Sequence, residues 1–317
     1  MPAPAYDIIG DIHGHAIELK ELLHKLGYAH SNGAYRHPNR KVLFLGDYID
    51  KGDHIREVLQ IVRAMVDQGQ AIALMGNHEF NALCWSVEDG KGGYLRPHTE
   101  EKEEQHEATL RQFKDLPEEW NDHLTWFRTL PLFHEEPEFR AVHACWDDRH
   151  IALLRDELRS GLTDEFLSRS VVKGSALHVA VEEILKGKEL SVPGDLTFED
   201  KYGHSRNEVR IRWWEDLIGK SFAEPSVLPA PKFAHIPVTD RRHADGFIYP
   251  EHERPVFFGH YWLQHPHPAI MRSNICCLDF SVAKAGALMA YRFDGKQFLD
   301  ASKLISVQAV SRVRADP

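Results

Sequence analysis

Apolar runs alternate with amphipathic segments over the first 80 residues. Short apolar runs at 6–9, 41–45 and 71–75 are typical of strands that a sheet buries on both faces. Between them, apolar residues recur every three or four positions, which predicts two helices that end near Gly27 and Gly69. The order strand, helix, strand, helix, strand predicts a parallel sheet with right-handed crossovers. The expected fold class is therefore α/β, with an α+β character further along the chain.

The pattern changes after residue 84. Residues 86–135 form a polar, acidic insert, for which a solvated helix face or a loop is a simpler interpretation than a binding role. Residues 150–235 predict a mainly helical, cap-like segment that ends in loops. Further apolar runs predict strands at 139–146, 255–262, 274–281 and 287–293. We expect one domain over 1–300, with a second sheet packed against the first, and a C-terminal tail at 301–317.

Each of the first three strands ends in a glycine that is followed by polar side chains. These segments read GDIHG (10–14), GDYIDKG (46–52) and GNHE (76–79). Because the carboxyl ends of parallel strands meet at one edge of a sheet, their polar residues are expected to lie close together. Two later strands each deliver a histidine, so the candidate metal ligands are Asp11, His13, Asp47, Asn77, His143 and His260. Carboxylate, imidazole and amide donors suit divalent Mn, Fe or Zn.

The three motifs, followed by two separated histidines, resemble those of the calcineurin-like metallophosphoesterases. More narrowly, they resemble the phosphoprotein phosphatase group, which includes bacterial serine/threonine phosphatases and symmetrical diadenosine tetraphosphate hydrolases. The resemblance implies a β-sandwich of two mixed sheets flanked by helices and a centre of two divalent ions. Manganese is the expected metal, with iron or zinc as alternatives. By the same resemblance Asp47 would bridge the ions, with Asp11, His13 and His260 on one ion and Asn77 and His143 on the other.

The resemblance also implies an acid–base pair. His78 would be the general acid that protonates the departing alkoxide, and Asp50 would orient its ring. The simpler alternative for Asp50 is an aspartate that caps a turn. Lys51 stands where the group usually has arginine, so a single charge replaces a fork for phosphate oxygens. Three later arginines either restore such a fork or lie on the surface: Arg206, Arg210 and Arg212.

The implied reaction is hydrolysis of a phosphate ester by metal-activated hydroxide. A phosphomonoester, as for serine/threonine phosphatases, is the first substrate hypothesis, and a dinucleoside polyphosphate is the alternative. The expected partner is thus a phosphorylated small molecule, a nucleotide or a phosphoprotein. A catalytically inactive module that binds metal or phosphate is a third hypothesis. Such a module is expected to have lost ligands, whereas all six candidate ligands are present here.

Composition disfavours several other classes of protein. The formal net charge of −10 argues against a nonspecific nucleic-acid binder. No apolar run approaches the ~20 residues of a membrane span, and the first residues lack the basic start and apolar core of a signal peptide. We therefore expect a cytoplasmic protein without nucleic-acid or membrane partners. The four cysteines lack CxxC spacing, which disfavours a zinc knuckle or a redox motif.

Overall fold

The computed structural model of the protein describes residues 5–191, 197–199, 205–215, 217, 219–221, 223–224, 226, 235–237, 249–263 and 269–310. Its α-helices are α1 (Ala16–Lys25), α2 (Ile55–Asp67), α3 (Asn77–Ser86), α4 (Glu100–Phe113), α5 (Pro117–Phe127), α6 (Asp148–Glu157), α7 (Asp164–Ser170) and α8 (Ala176–Lys186). Its strands are β1 (Ala5–Ile9), β2 (Ala29–Ser31), β3 (Ala34–Arg36), β4 (Arg40–Phe44), β5 (Ala71–Ala73), β6 (Phe133–Glu135), β7 (Arg140–Val142), β8 (Glu189–Ser191), β9 (Phe198–Glu199), β10 (Ser205–Arg206), β11 (Glu208–Arg210), β12 (Val256–Phe258), β13 (Ile275–Cys277), β14 (Asp279–Phe280), β15 (Ala287–Phe293) and β16 (Leu304–Gln308). Among the described residues, no helix has both the length and the apolar character needed to cross a membrane.

The larger sheet places the three strands predicted at the start of the chain side by side. Its order is β14–β15–β1–β4–β5, and β16 pairs with β15. β1, β4 and β5 are parallel, whereas β15 runs antiparallel to β1, so the sheet is mixed. The parallel register brings Ile9 beside Phe44 and Phe44 beside Ala73. The carboxyl ends of these three strands therefore share one edge, where the polar motifs begin.

A smaller sheet packs against the larger one. Its order is β13–β12–β7–β6, in which β6 is antiparallel to its neighbour. The ring of Phe139, beside β7, lies 5.0 Å from the ring of Phe293 in β15. The ring of Phe257 in β12 lies 5.1 Å from that of Tyr291, also in β15. These contacts between the sheets confirm the predicted β-sandwich of two mixed sheets.

Helices cover the other face of the larger sheet. Along β1 and β4, Ile8 and Leu43 belong to the apolar core between the sheets. Their neighbours Ile9, Val42 and Phe44 belong instead to the core that α1 and α2 share with the sheet. This alternation is what a strand of period two produces when both faces are buried. The predicted helical flank is therefore present.

The insert at 86–135 is largely helical. It contains α4 and α5, and the acidic first turn of α4 is followed by a buried side formed by His106, Thr109 and Phe113. The expected solvated helix face is thus only one side of α4. The segment at 150–235 contains α6 to α8, as predicted, and then the short strands β8 to β11. Parts of it lie outside the described residues, and its role as a cap stays a prediction.

The expectation of a tail at 301–317 is wrong in part. β16 pairs with β15 over five residue pairs, from Ala287–Gln308 to Tyr291–Leu304, so the sheet continues past residue 300. Its side chains are mostly half-buried, which leaves a weak apolar signal in the sequence. Residues 311–317 lie outside the described part. The single strand predicted at 274–281 divides at Leu278, because β13 joins the smaller sheet and β14 the larger.

Candidate metal centre

The six candidate ligands stand directly after strands or on the turns that follow them. In chain order, Asp11 and His13 follow β1, Asp47 follows β4, Asn77 begins α3 after β5, and His143 and His260 follow β7 and β12. Each of the six is at most 9% exposed. Both sheets therefore contribute to one buried group of polar side chains.

Several of these residues adopt backbone conformations that are uncommon outside glycine. The φ angle is +47° at His13, +54° at Asp47 and +71° at His260. Such left-handed conformations cost free energy and concentrate at functional sites. A Cβ atom at Gly76 would lie 2.2 Å from Asp47 Oδ1, so the close approach of this turn to the ligand requires glycine.

Asp47 lies between two histidines. Its Oδ2 is 3.5 Å from His13 Nε2, and its Oδ1 is 3.4 Å from His143 Nε2. The far ring nitrogens are held by backbone carbonyls. His13 Nδ1 donates to Ile49 at 2.9 Å, and His143 Nδ1 donates to Leu45 at 2.7 Å. In the neutral rings these hydrogen bonds fix the tautomer, so each Nε2 turns its lone pair toward Asp47.

Asn77 and Asp11 each contact a histidine of the cluster. Asn77 Oδ1 is 3.1 Å from His143 Nε2. Asp11 Oδ2 accepts a hydrogen bond from the backbone N–H of His260 at 2.9 Å. The structure therefore brings together all six residues that the sequence indicated as candidate ligands.

Several buried oxygen and nitrogen atoms of the cluster, each a potential metal ligand, have no hydrogen-bond partner among the described residues. They are Asp11 Oδ1, His13 Nε2, Asp47 Oδ2 and His260 Nδ1. Leaving a buried polar atom unpaired costs about 1–3 kcal/mol, and more for a charged group. Divalent transition metals bind this combination of carboxylate and imidazole donors. The residues present therefore fit a metal centre.

Donor atoms gather in two overlapping groups. The groups are His13, Asp47 and His78, and Asp47, His143 and His260, with the potential ligand atoms of each group within 4.8 Å of one another. Asp47 belongs to both groups. His260 falls with His143, whereas the resemblance implied that it shares an ion with His13. The bridging role of Asp47 and the division of ligands between two ions stay predictions.

Burial and mutual attraction set the charges of the cluster. Burial alone would raise the pKa of Asp47, but the neighbouring histidines, His143 foremost, hold it well below its ordinary value. Burial also disfavours the charged form of His143, yet Asp47 raises the pKa of His143 to about 10. Burial lowers the pKa of His13 to about 4. Ligation of a metal by His143 therefore requires the loss of a proton that Asp47 stabilises.

His78 and Asp50 form a hydrogen-bonded pair beside the cluster. His78 Nδ1 donates to Asp50 Oδ2 at 2.6 Å, because an ionised carboxylate can only accept. The other ring nitrogen, Nε2, is 3.8 Å from Asp47 Oδ2, so this edge of the ring faces the candidate metal centre. Burial would lower the pKa of His78, but Asp47 and Asp50 together raise it. The pair is arranged to hold a proton, and its catalytic role stays a prediction.

One family model matches most of the chain. It is described as Calcineurin-like phosphoesterase and matches residues 6–261, which include all six candidate ligands. The chain belongs to the calcineurin-like phosphoesterase family. Membership of this family is what the resemblance of its motifs implied.

Curated relatives match a smaller part of the chain. The asymmetrical bis(5'-nucleosyl)-tetraphosphatase PrpE of Halalkalibacterium halodurans is 35% identical over 144 residues, which cover 43% of this chain and 54% of that protein. The protein of the same name from Oceanobacillus iheyensis is 47% identical over 73 residues, which cover 23% of this chain and 29% of that protein. The chain thus spans about half the length of these relatives, or less.

Solved structures are similar over more of this chain than the curated relatives are, but at lower sequence identity. A protein serine/threonine phosphatase from Saccharomyces cerevisiae is 14% identical with a TM-score of 0.49, covering 100% of this chain and 82% of that one. The cold-active protein-tyrosine phosphatase of a psychrophilic Shewanella is 17% identical with a TM-score of 0.47, and the match covers 97% of this chain and 80% of that one. With TM-scores below 0.5, neither similarity carries an argument about substrate.

Glu79 holds the backbone around the candidate ligand Asp47, although sequence reasoning assigned it no role. This fully buried carboxylate accepts hydrogen bonds from the backbone N–H groups of Asp47 at 2.9 Å, Tyr48 at 2.8 Å and Gly76 at 3.0 Å. Burial, followed by the charge of Asp47, raises the pKa of Glu79 to about 7. The signal was local, because Glu79 is the third residue of α3, where a glutamate commonly caps the start of a helix.

Two residues of the polar insert contact Asp50, the carboxylate of the pair that it forms with His78. Asp50 Oδ1 accepts hydrogen bonds from His106 Nδ1 and from the Thr109 hydroxyl, each at 2.6 Å. Sequence reasoning missed both residues. Their spacing of three places them on one face of α4, but the spacing does not indicate what that face contacts.

Two of the candidate phosphate-binding cations lie at the site. Burial is the main cause of the low pKa of His13, and the nearby charge of Lys51 lowers that pKa further. Arg210 Nη1 is 2.9 Å from His260 Nε2, and Arg210 Nη2 donates to Glu189 at 2.9 Å. Arg210 therefore contacts a histidine of the candidate metal centre, and Lys51 is near enough to His13 for its charge to act on that ring.

Arg212 contacts residues outside this group. Arg212 Nε is 2.9 Å from Glu215 Oε1, and its Nη2 donates to the backbone carbonyl of Glu224. Arg206 lies in β10, and its side chain is outside the described part of the chain. Both alternatives for Arg212, a phosphate-binding role and a surface role, stay predictions.

Proposed function

We propose that the chain hydrolyses a phosphate ester at a centre of two divalent ions. The residues that would hold the ions are Asp11, His13, Asp47, Asn77, His143 and His260. The observation that supports the proposal most directly is the set of buried ligand atoms without a partner among the described residues. Manganese is the first candidate, with iron or zinc as alternatives, because the donors are carboxylate, imidazole and amide. When bound, such ions neutralise phosphoryl charge and lower the pKa of water.

His78 supplies the proton for the leaving group in this proposal. Asp50 holds Nδ1 at 2.6 Å and thereby directs Nε2 toward the space beside Asp47. General acids positioned in this way contribute about 10²–10⁴-fold to a rate. Lys51 and Arg210 hold phosphate oxygens, Lys51 as a single charge and Arg210 as a planar fork.

The acid–base pair favours a phosphomonoester of an aliphatic alcohol. An alkoxide is a strongly basic leaving group, so it needs a proton when the P–O bond breaks. A phosphate anhydride releases a much weaker base, for which a positioned acid contributes less. The short hydrogen bond between His78 and Asp50 therefore supports an ester substrate, such as phosphoserine or phosphothreonine.

The second candidate substrate is a dinucleoside polyphosphate. The observation that favours it is the name of the relatives at 35% and 47% identity, both bis(5'-nucleosyl)-tetraphosphatases. The matched segments cover about half of those proteins or less. For this reason we place the dinucleoside polyphosphate after the phosphomonoester.

A panel of substrates separates the candidates. We expect a phosphoserine peptide to have a higher kcat/KM than diadenosine tetraphosphate, a mononucleotide or p-nitrophenyl phosphate, and chelator to abolish turnover that Mn²⁺ restores. A higher kcat/KM for diadenosine tetraphosphate would replace the first candidate by the second. The absence of metal-dependent turnover on the whole panel would contradict an enzyme and leave a module that binds metal or phosphate.

A further inference from the structure

The Asp50 carboxylate is held from two sides. Oδ2 accepts the hydrogen bond from His78, and Oδ1 accepts one from His106 Nδ1 and one from the Thr109 hydroxyl, all at 2.6 Å. The Thr109 oxygen also accepts a hydrogen bond from the backbone N–H of Asp50 at 3.1 Å. One threonine thus fixes both the backbone and the carboxylate of the same aspartate.

These contacts are buried and act on a strained residue. Asp50 is 6% exposed, His106 4% and Thr109 0%. Asp50 has a φ angle of +79°, a conformation that persists for an aspartate only where the surroundings hold it. The surroundings that hold it here belong to α4, 56 and 59 residues further along the chain.

We propose that His106 and Thr109 are positioning residues that hold the Asp50 carboxylate in the orientation in which His78 protonates the leaving oxygen. The inference rests on the proposed function, in which His78 is the general acid. It gives the polar insert a role in the reaction, because α4 supplies two of the three side-chain donors that Asp50 has among the described residues. It also makes the rate on poor leaving groups depend on α4.

The surroundings of His106 indicate positioning rather than proton relay. Its ring lies between Trp85 and Trp120, with both ring centroids 5.8 Å away. Its Nε2 is buried and has no hydrogen-bond partner among the described residues. The ring is therefore held by packing and offers one hydrogen bond, from Nδ1 to Asp50, with no onward acceptor for a proton in the described part of the chain.

Variants that remove or keep one donor test this role. His106→Phe retains an aromatic ring without a donor, whereas His106→Asn keeps an N–H near the position of Nδ1. Thr109→Val removes the hydroxyl at nearly constant volume, whereas Thr109→Ser retains it. His123→Phe is the matched control, because His123 is a buried histidine of the neighbouring helix α5 that packs against Phe113 and Trp126.

The measured quantity is the dependence of kcat on the leaving group in the Mn²⁺-loaded enzyme. For a phosphoserine peptide, we expect His106→Phe and Thr109→Val each to lower kcat about tenfold or more, within the range of a misplaced general acid, with KM little changed. For 2,4-dinitrophenyl phosphate, whose leaving group needs no proton, the loss should be several times smaller. His106→Asn and Thr109→Ser should restore most of the rate, and His123→Phe should match wild type on both substrates. Bound manganese should equal that of wild type in every variant.

Distinct outcomes overturn the inference and the function on which it rests. Equal losses on both substrates, or no loss in Thr109→Val, would show that α4 does not position the acid. Loss of manganese in the variants would show that α4 supports the metal centre instead. A wild-type protein that does not hydrolyse the phosphoserine peptide would overturn the proposed function, and the inference with it. Should His106→Phe fail to fold, the nearly isosteric Thr109→Val decides alone.

Discussion

Two groups of carboxylates and histidines in this molecule differ in what balances their charge. The first is the candidate metal centre around Asp47. The second, which we call the Lys188 cluster, consists of Asp147, Arg149, His150, Glu183 and Lys188. In both groups three residues bring potential ligand atoms within 4.8 Å of one another. Spacing alone therefore does not distinguish a metal site from an ion-pair network.

The distinguishing feature is the cation that the chain itself supplies. Lys188 Nζ is 2.7 Å from Asp147 Oδ2 and 3.1 Å from Glu183 Oε2. Together with Arg149, whose Nη2 is 3.0 Å from Asp147 Oδ2, this ammonium group balances the charges of the two carboxylates, as a divalent metal ion would. Around Asp47, by contrast, the cation is the imidazolium of His143, which can lose its proton, and several buried carboxylate and imidazole atoms have no hydrogen-bond partner among the described residues. Buried ligand atoms without a hydrogen-bond partner, rather than the number of carboxylates and histidines, distinguish the candidate metal centre from the Lys188 cluster.

The largest expected effect separates the two clusters by their metal binding. Asp47→Asn removes the carboxylate shared by both ligand groups, so we expect Mn²⁺ affinity and metal-dependent turnover to fall by at least about 100-fold. The same change in the Lys188 cluster, Asp147→Asn, should leave both unchanged. Metal content measured by mass spectrometry, together with kinetics, checks the pair. Loss of bound metal in Asp147→Asn would show that the Lys188 cluster also holds an ion.

The second expected effect is on the free energy of unfolding, which should fall more in Asp147→Asn than in Asp47→Asn. Asp147 is fully buried and the Lys188 side chain is 15% exposed, and breaking a buried ion pair costs about 3–5 kcal/mol. Because Lys188 keeps Glu183 as a partner, we expect Asp147→Asn to lower the free energy of unfolding by about 2–3 kcal/mol. Asp47→Asn should cost less in the metal-free protein. Asp47 Oδ2 has no hydrogen-bond partner among the described residues, and His143, which pairs with Oδ1, can release its proton once the carboxylate is gone, as Lys188 cannot.

Urea unfolding in the presence of chelator measures this difference. The chelator is essential, because a metal ion that binds only the folded protein would add its own binding free energy to wild type. Arg149→Ala is a suitable control, since its side chain is 71% exposed and exposed ion pairs contribute about 0–1 kcal/mol. A greater loss in Asp47→Asn than in Asp147→Asn would reverse our interpretation of the two clusters.

The positions of the candidate metal ligands were predictable because they follow from topology. In a parallel sheet, a polar residue directly after each strand has to reach the same edge. The motifs containing Asp11, Asp47 and Asn77 could therefore be placed together without coordinates. His143 and His260 extended the same rule to the second sheet, whose strands β7 and β12 are also parallel.

Contacts that depend on how a helix is rotated were not predictable. His106 and Thr109 lie in an acidic stretch whose composition indicates a solvated helix, and their face meets Asp50 only after α4 packs on the sheet. The Lys188 cluster was not predicted for a similar reason, since its carboxylates come from α8 and from the residue before α6. β16 was missed because a short strand at the edge of a sheet leaves a weak apolar pattern.

The smallest expected effect is the pH dependence of the Lys188 cluster. Burial would raise the pKa of Asp147, but Arg149 and Lys188 hold it below its ordinary value. The folded state therefore binds this proton less readily than the unfolded chain. The stabilisation is complete above the unfolded pKa of about 4 and is lost as the pH falls through that value toward the lower folded pKa. Between pH 5 and 3.5, wild type should lose about 0.7 kcal/mol more than Asp147→Asn. Urea unfolding at closely spaced pH values measures this difference. If the free energy of unfolding changed with pH by the same amount in both proteins, Asp147 would not be held ionised by its partners.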